Sequence, residues 1–333
     1  MLSPMRGQAA ELPKGILIGH QNDVEAATGC SVILCKEGAV ASVAVRGGAP
    51  ATRETDLLSP ENTVQCLHAV VLSGGSAYGL DAGSGVMRYL EEQETGVPFA
   101  GFVVPIVVGA SLFDLDIGSA LRRPDAEMGY AAALAAKPEV GKTGSVGAGT
   151  GAGVGRFMGP DHAMKGGLGV ASVRSGELIV SAVVAVNSLG AVFDSATGTY
   201  VAGAYVEKDG RKVIIDPLET LADLLPMLAA GPTDEPLDER GNTSIGAVIT
   251  NAELSKAQAQ RVASMAHDGL ARSIYPAHTS FDGDALFALC TGEVVTQPDV
   301  VGFLAALAVE HAVLDAVLSA EEAYGLPAAS TFG

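Results

Sequence analysis

The polar segment Gly-Asn-Thr-Ser at residues 241–244 stands at the start of an apolar run, 245–252, and its residue types could carry out nucleophilic chemistry. A threonine hydroxyl held against the preceding carbonyl can attack it and move the acyl group from nitrogen to oxygen, and water then releases a new N-terminal threonine. The freed α-amine has a reference pKa of about 7.7–8.0, so it can accept the hydroxyl proton near neutral pH. The segment is also compatible with an ordinary hydroxyl-rich strand start.

A second pair of candidates is Asp282 and Asp284, in the segment Phe-Asp-Gly-Asp at 281–284. Their spacing suggests a calcium loop, but the next alternating ligand and the distal glutamate of an EF-hand are missing. Two carboxylates two residues apart at a strand entrance are more often a solvated turn. The spacing alone therefore favours a turn.

Histidine and cysteine show no metal-ligand spacing. We expect the histidines to occupy surface or satisfied core positions, and the thiols to be reduced and mostly buried. The histidines are at 20, 68, 162, 267, 278 and 311, and the cysteines are at 30, 35, 66 and 290.

A glycine-rich segment, 147–152 (GAGTGA), matches the dinucleotide pattern G-x-G-x-x-G/A literally. That pattern indicates a nucleotide site only between a buried strand and a helix, and the residues before it do not read as a buried strand. Segment 136–143 approaches a P-loop but has Ala136 where the first glycine is required. A G-x-S-x-G nucleophile elbow is absent from the sequence, which argues against an α/β-hydrolase.

Composition and charge restrict the class of protein and its partners. The chain is 48% apolar and 17% charged, which is typical of a folded globular protein, and its formal net charge of −18 repels polyanions. We therefore expect neither nucleic acid nor an anionic membrane as a partner. The N-terminal segment has no apolar region suited to a secretory signal, so a cytoplasmic location is expected, and no membrane span is predicted.

The order of elements predicts a layered α/β fold, with strand pairs separated by helix pairs. A hairpin with a turn at 36–39 is predicted in residues 30–48, and residues 218–241 are predicted to begin as a helix and end as an exposed loop. Ser255 is the predicted N-cap of the helix that follows, and the last helix, from about Asp299, is apolar enough to be buried in the core or at a subunit contact.

Several long blocks, in one order, resemble the L-aminopeptidase/D-esterase (β-peptidyl aminopeptidase) family of self-processing N-terminal-nucleophile hydrolases. The resemblance is closest to the nylon-oligomer hydrolase branch and runs from about residue 15 to 320. The blocks are RGGAPATRETDLL (46–58), VVLSGGSAYGLDAGSGVM (70–87), VGAGTGAGVG (146–155), AVVAVNSLGAVFD (182–194), GNTSIGAVITNAELSKAQ (241–258) and MAHDGLARSIYPAHTSFDGDALFAL (265–289).

The resemblance implies a single domain with an αββα sandwich that cleaves itself between Asn242 and Thr243. The products would be an α fragment, 1–242, and a β fragment, 243–333. Thr243 would be the nucleophile and its free amine the general base. No metal or organic cofactor is implied.

The resemblance also assigns supporting residues. Asn187 matches the family asparagine near the nucleophile and is the expected oxyanion donor. Asp282 and Asp284 match an acidic pair that positions the amine and hydroxyl of the nucleophile, which reverses the interpretation from spacing alone. The glycine-rich segment would let the backbone approach the site closely, and its N–H groups could contact substrate.

Two expected site positions depart from the family pattern. Relatives carry lysine where this chain has Arg156, which stays charged and cannot share a proton as lysine can. If the lysine supplies only charge, arginine suffices; if it transfers a proton, self-processing would be slow. Phe113 replaces a tyrosine of some members and removes one hydrogen-bond donor. Phe113 and Tyr78 are expected to contact substrate, and Ser244 is an alternative nucleophile.

The function implied is hydrolysis of small peptides, β-peptides, amino-acid amides or nylon oligomers by a homotetramer or larger assembly. Two alternatives remain at this stage. One is an acyltransferase of the ornithine acetyltransferase type, which also cleaves itself before a threonine. The other is an unprocessed protein that binds a ligand in the same cleft.

Overall fold

The computed structural model describes residues 3–220 and 241–332. The helices are α1 (Ala82–Glu92), α2 (Ala126–Leu134), α3 (Lys256–Ser273) and α4 (Pro298–Leu318). The strands are β1 (Met5–Arg6), β2 (Ile16–Asp23), β3 (Thr28–Val45), β4 (Thr52–Arg53), β5 (Cys66–Ser73), β6 (Val97–Phe99), β7 (Phe102–Val104), β8 (Val107–Ser111), β9 (Gly153–Val154), β10 (Met164–Lys165), β11 (Gly167–Ser175), β12 (Leu178–Val186), β13 (Ala191–Asp194), β14 (Thr199–Ala202), β15 (Tyr205–Lys208), β16 (Arg211–Ile214), β17 (Ile245–Glu253), β18 (Ile274–Tyr275) and β19 (Ala285–Val295).

The longest strands form one hydrogen-bonded path, β1-β11-β12-β17-β19-β3-β5-β8-β4, with β2 paired to β3. The pairs β17–β19 and β5–β8 are parallel, and the other pairs along the path are antiparallel. Strand β3 joins two halves of this sheet, because its first part pairs with β2 and β5 and its last part pairs with β19. We call β2, β3, β5 and β8 the first half, and β11, β12, β17 and β19 the second half.

The two halves pack face to face, and helices cover both outer faces. Alternate residues along each strand point to opposite faces, so each strand supplies two apolar layers. In β3, Ile33 packs between the halves, whereas Val32 and Leu34 pack against α1 and α2. In β17, Ala247 and Ile249 pack between the halves, whereas Val248 packs with residues of α3 and α4. The αββα sandwich expected from the family resemblance is therefore confirmed.

Helix α4 is buried in the core, as its composition predicted. It has the length and the mean hydropathy of 1.9 that a membrane span would need, but 78% of that apolar window is buried inside the protein. Val309, Ala312 and Val313 lie in the apolar layer between this helix, α3 and the second half of the sheet. The apolar composition of α4 is therefore explained by its burial against several neighbouring elements.

The predicted N-cap is confirmed, and the predicted hairpin is wrong. Ser255 and Gln258 form a reciprocal capping box at the start of α3. Residues 30–48 do not fold back at 36–39, because β3 continues to Val45 and both of its parts find strand partners. The predicted turn is an irregularity in the β3–β5 pairing between Leu34 and Ala39. The predicted exposed loop before Gly241 falls in 221–240, outside the described residues.

Candidate active site

The sheet topology brings three strand ends together around Thr243. Residue 243 lies just before β17, whose first residue pairs with Ala185 of β12 on one side and Ala285 of β19 on the other. Because β12 is antiparallel to β17, its end lies beside the start of β17, and because β19 is parallel, its start lies there too. The residues that follow β12 and precede β19 therefore meet at Thr243. These are Asn187, Asp282 and Asp284.

Thr243 is buried, and its hydroxyl contacts its own preceding peptide bond. Its side chain is buried with the residue only 4% exposed, and its Oγ1 hydroxyl donates a hydrogen bond to the carbonyl oxygen of Asn242. The Thr243 amide donates to the main-chain carbonyl of Asn187, with an N–O distance of 2.6 Å. The hydroxyl and the carbonyl of the predicted scissile bond are thus in contact before any cleavage.

The Asn242 carbonyl oxygen also accepts a hydrogen bond from the Gly283 amide, at 2.9 Å. A donor at this oxygen is placed to stabilise the negative charge that develops when the carbonyl carbon is attacked. A Cβ atom on Gly283 would lie 2.8 Å from Thr243 Oγ1 and 2.7 Å from the carbonyl oxygen of Ala49. Only glycine fits between the two aspartates without displacing the hydroxyl.

Asp282 and Asp284 are buried on the β19 side of Thr243. Asp282 Oδ2 accepts from the Thr279 amide at 3.0 Å and from its hydroxyl at 2.6 Å, while Oδ1 accepts from the Leu189 amide at 3.4 Å. Burial and the neighbouring Asp284 charge raise the pKa of Asp282 to about 6. The expectation from spacing, a solvated turn, is wrong: both aspartates are buried, because the residues before β19 pair alongside the residues before β17.

Asp284 contacts the peptide that follows the nucleophile. Its Oδ1 accepts from the Ser244 amide at 2.7 Å, and its Oδ2 accepts from both the amide and Nδ1 of His278, at 3.0 and 2.7 Å. Ser244 is buried, and its hydroxyl has no hydrogen-bond partner within residues 3–220 and 241–332. Of the two hydroxyls, that of Thr243 is therefore the one in contact with the Asn242 carbonyl, and Thr243 stays the predicted nucleophile.

His278 is the residue that the sequence interpretation missed. It was expected to occupy a surface or satisfied core position, yet its side chain contacts a site carboxylate. The available signal was its place six residues before Asp284 in the same segment. Spacing of this kind matches no metal-binding or catalytic motif, so only the folded turn shows the contact.

Asn187 and Arg156 form a buried polar network behind Thr243. Asn187 Oδ1 accepts from the Gly153 amide at 2.9 Å and from Arg156 Nη1 at 3.3 Å, while Nδ2 donates to the Phe113 carbonyl at 2.8 Å. Arg156 also forms an ion pair with Asp116. The amide nitrogen of Asn187 is thus engaged by the Phe113 carbonyl, and its expected role as oxyanion donor stays a prediction.

The glycine-rich segment lies against this network, where the Gly153 amide donates to Asn187. A Cβ on Gly151 would lie 2.0 Å from the Ala27 carbonyl oxygen, so the backbone approaches as closely as expected. The fully buried Lys165 ammonium donates to the carbonyls of Gly149, Ala152 and Gly166 at 2.8–3.0 Å. Burial lowers the pKa of Lys165 to about 7, and the nearby Asp114 carboxylate opposes that shift.

The two residues expected to contact substrate, Phe113 and Tyr78, have different surroundings. The Phe113 ring packs against Gly241, where an added Cβ would be 2.5 Å from the ring. Tyr78 is 59% exposed, and its ring contacts the Arg123 guanidinium at 3.9 Å from the centroid. No hydrogen bond joins Tyr78 to Thr243 in the described part of the chain. No group of three or more metal-ligating side chains occurs among residues 3–220 and 241–332.

Comparison with known proteins places this geometry in a family. Residues 14–329 match the model of Peptidase family S58. An uncharacterized aminopeptidase of Mycobacterium leprae is 45% identical over 342 residues, covering 94% of this chain and 91% of the relative. A 6-aminohexanoate-oligomer endohydrolase of an Agromyces species is 34% identical over 300 residues, covering 88% of this chain and 79% of the relative.

A solved structure shows the same fold. The L-aminopeptidase D-Ala-esterase/amidase of Ochrobactrum anthropi, described as a variant of the Ntn hydrolase fold, has a TM-score of 0.66 with this protein. The match covers 92% of this chain and 85% of that chain at 19% identity. Fold and relatives together define a hydrolase of peptide and amide bonds on an Ntn-hydrolase fold. The chain belongs to peptidase family S58.

Proposed function

We propose that the chain activates itself by cleaving the Asn242–Thr243 bond, giving fragments 1–242 and 243–333. Thr243 Oγ1 attacks the Asn242 carbonyl carbon, an ester forms as the C–N bond breaks, and the hydroxyl proton ends on the Thr243 nitrogen. Water then hydrolyses the ester to an Asn242 carboxylate and a free Thr243 hydroxyl. One observation carries this proposal: the Asn242 carbonyl oxygen accepts hydrogen bonds from both the Thr243 hydroxyl and the Gly283 amide.

The cleaved protein would hydrolyse substrate amides with the same residue. The free Thr243 amine accepts the hydroxyl proton, the hydroxyl attacks the substrate carbonyl, and the amine product leaves from a threonyl ester that water cleaves. Asn187 would donate to the oxyanion once the new terminus is free, and Asp282 and Asp284 would position the amine and the hydroxyl. Arg156 would supply fixed positive charge, since its guanidinium does not exchange protons near neutral pH.

The proposed substrates are small peptides, β-peptides, amino-acid amides and 6-aminohexanoate oligomers. Relatives named for aminopeptidase and for 6-aminohexanoate-oligomer endohydrolase activity support this range. Phe113 is placed beside the scissile peptide and would contact the acyl part of a substrate. A role for Tyr78 would require a substrate that extends to its exposed ring.

An activity panel with matched variants tests the proposal. Wild type, Thr243→Ala and the exposed control Thr199→Ala would be incubated with an amino-acid amide, a β-alanyl dipeptide and a 6-aminohexanoate trimer. We expect wild type and Thr199→Ala to release new amine from at least one substrate, and Thr243→Ala to lose on the order of 10⁴-fold or more. Equal activity in Thr243→Ala would overturn the assignment.

The two alternatives predict other products. An acyltransferase would pass the acyl group to an added amine such as ornithine, so the acyl product would appear on the amine instead of as free acid. An unprocessed binding protein would bind an amide without consuming it. The peptidase and endohydrolase relatives favour hydrolysis.

We also propose a cytoplasmic homotetramer or larger assembly. Four free cysteines, at 30, 35, 66 and 290, fit a reducing compartment. The β6–β7 hairpin exposes Phe99 and Phe102, each 73% exposed, and offers an apolar surface for subunit contact. Light scattering coupled to gel filtration would give the mass of the assembly, and a monomer mass of 33.6 kDa would contradict it.

A further inference from the structure

His278 contacts the site through one oxygen of Asp284. Its main-chain amide and its Nδ1 both donate to Asp284 Oδ2, at 3.0 and 2.7 Å. Because a carboxylate oxygen accepts hydrogen bonds, we assign a proton to Nδ1 in this contact. The residue thus uses two donors, one from the backbone and one from the side chain, on a single acceptor atom.

Asp284 transmits this contact to the nucleophile. With Oδ2 occupied by His278, its other oxygen, Oδ1, accepts the Ser244 amide at 2.7 Å. That amide belongs to the peptide joining Ser244 to Thr243. The carboxylate therefore fixes the nucleophile from its C-terminal side, while the Asn187 carbonyl fixes it from its N-terminal side through the Thr243 amide.

The surroundings of His278 restrain both its backbone and its ring. Its φ of +59° lies in the left-handed region, which is uncommon outside glycine. The buried His267 of α3 packs its ring edge-on at 4.8 Å between centroids, and His267 Nε2 hydrogen-bonds with the Ala44 carbonyl at 2.9 Å.

We propose that His278 is a positioning residue for Thr243. By holding Asp284 Oδ2, it keeps Oδ1 on the Ser244 amide and thereby keeps the Thr243 hydroxyl against the Asn242 carbonyl. This role rests on the proposed self-cleavage, and it adds a residue that acts through a carboxylate without touching the reacting atoms.

Two substitutions of His278 separate the effect of its side-chain donor from the effect of its backbone conformation. His278→Gly allows the positive φ and keeps the amide donor but removes Nδ1. His278→Asn also tolerates the left-handed region, and its Nδ2 can replace the Nδ1 donor. Cleavage of the full chain at 242/243 would be followed over time by denaturing mass spectrometry for wild type, both variants and the non-cleaving Thr243→Ala control.

We expect His278→Gly to slow cleavage about 10- to 100-fold, as removal of an outer partner of a catalytic group commonly does. His278→Asn should stay within about threefold of wild type, because it retains the donor. Wild-type speed in His278→Gly, or equal slowing in both variants with native circular dichroism, would show the role of His278 to be wrong. If wild type does not cleave, the proposed function fails, and this role fails with it.

If His278→Gly does not fold, a measurement on protein that keeps His278 can still test the proposal. Nitrogen-15 NMR of histidine-labelled Thr243→Ala protein reports which ring nitrogen carries the proton. A proton on Nδ1 of His278 is expected. A proton on Nε2 alone would remove the donor to Asp284 and overturn the proposal.

Discussion

Gly283 leaves little room for a side chain beside Thr243. Its amide donates to the Asn242 oxygen, and a side chain on it would meet Thr243 Oγ1 at 2.8 Å. Gly283→Ala should therefore shift the hydroxyl, the donor or both, and we expect cleavage to slow about 10²- to 10³-fold, the range for losing one oxyanion donor. The measurement is the cleaved fraction over time by denaturing mass spectrometry.

A matched control for this prediction is Gly141→Ala. Gly141 has an ordinary backbone conformation and no atom within 4 Å of an added Cβ. It should cleave at the wild-type rate. Normal cleavage by Gly283→Ala would mean that the close approach to Thr243 has no consequence for the reaction.

The ionisation of Asp282 is expected to make the free energy of unfolding depend on pH, and the direction of that dependence follows from its raised pKa. Its pKa rises from 3.8 to about 6 in the folded chain, so between these pH values the folded protein holds a proton that the unfolded chain has lost. Its contribution to stability is therefore largest below 3.8 and declines as pH rises through 6, by on the order of 3 kcal/mol. Asp282→Asn cannot ionise and should gain stability relative to the parent across that window.

Urea denaturation at several pH values from 4 to 7 would check this, in the Thr243→Ala background so that one uncleaved species is present. The difference in free energy of unfolding between parent and Asp282→Asn should grow with pH. A difference that stays constant would indicate that Asp282 has an ordinary pKa.

Site residues were predictable from sequence to different extents. The chemistry of Thr243 followed from its residue type and its neighbours, but spacing alone assigned Asp282 and Asp284 to a solvated turn. Their burial depends on β19 lying beside β17, a contact that local sequence does not encode. The contact of His278 with Asp284 and the close fit of Gly283 depend on the same packing, and both emerged only from the folded chain.

Among the elements, α3 shows how local signals and tertiary contacts combine. Its N-terminus was predictable because Ser255 and Gln258 satisfy each other's backbone amides in a capping box. The full length of strand β3 was not predictable, because Lys36-Glu37-Gly38 resembles a turn. Pairing with three other strands keeps the chain extended there. Sheet pairing on both sides of a segment can therefore outweigh its local turn propensity.

Ser255→Ala tests the cap. Loss of the side-chain acceptor should lower the free energy of unfolding by about 1 kcal/mol, with the cleavage rate unchanged because the cap lies at the far end of α3 from His267. Ser175→Ala, at an exposed position at the end of β11, is the control and should change stability little. Chemical denaturation of the uncleaved Thr243→Ala protein gives both values. Equal stabilities would show that the cap contributes nothing.

The site is built on a sheet whose two halves pack against each other through one apolar layer. Phe287 is fully buried in that layer, three residues after Asp284. Phe287→Ala should lower the free energy of unfolding by about 3–5 kcal/mol, because it leaves a cavity between the halves. Phe303→Ala, on α4 at 54% exposure, should cost far less.

Thermal and urea unfolding of both phenylalanine variants would make the comparison. Similar losses would contradict the layered core. The α/β class and the burial of the last helix were predictable from composition and element order, but the arrangement in four layers was expected only from the family resemblance. Composition does not say which faces of two sheet halves meet.

Thr243 is proposed to become an N-terminal nucleophile by cleavage of its own chain. The most direct test is intact mass spectrometry under denaturing conditions, on freshly purified protein and after days of incubation. We expect two fragments, 1–242 and 243–333, with Thr243 at the new N-terminus, and a single uncleaved chain for Thr243→Ala. A wild-type chain that stays at 333 residues throughout would contradict the proposed self-cleavage.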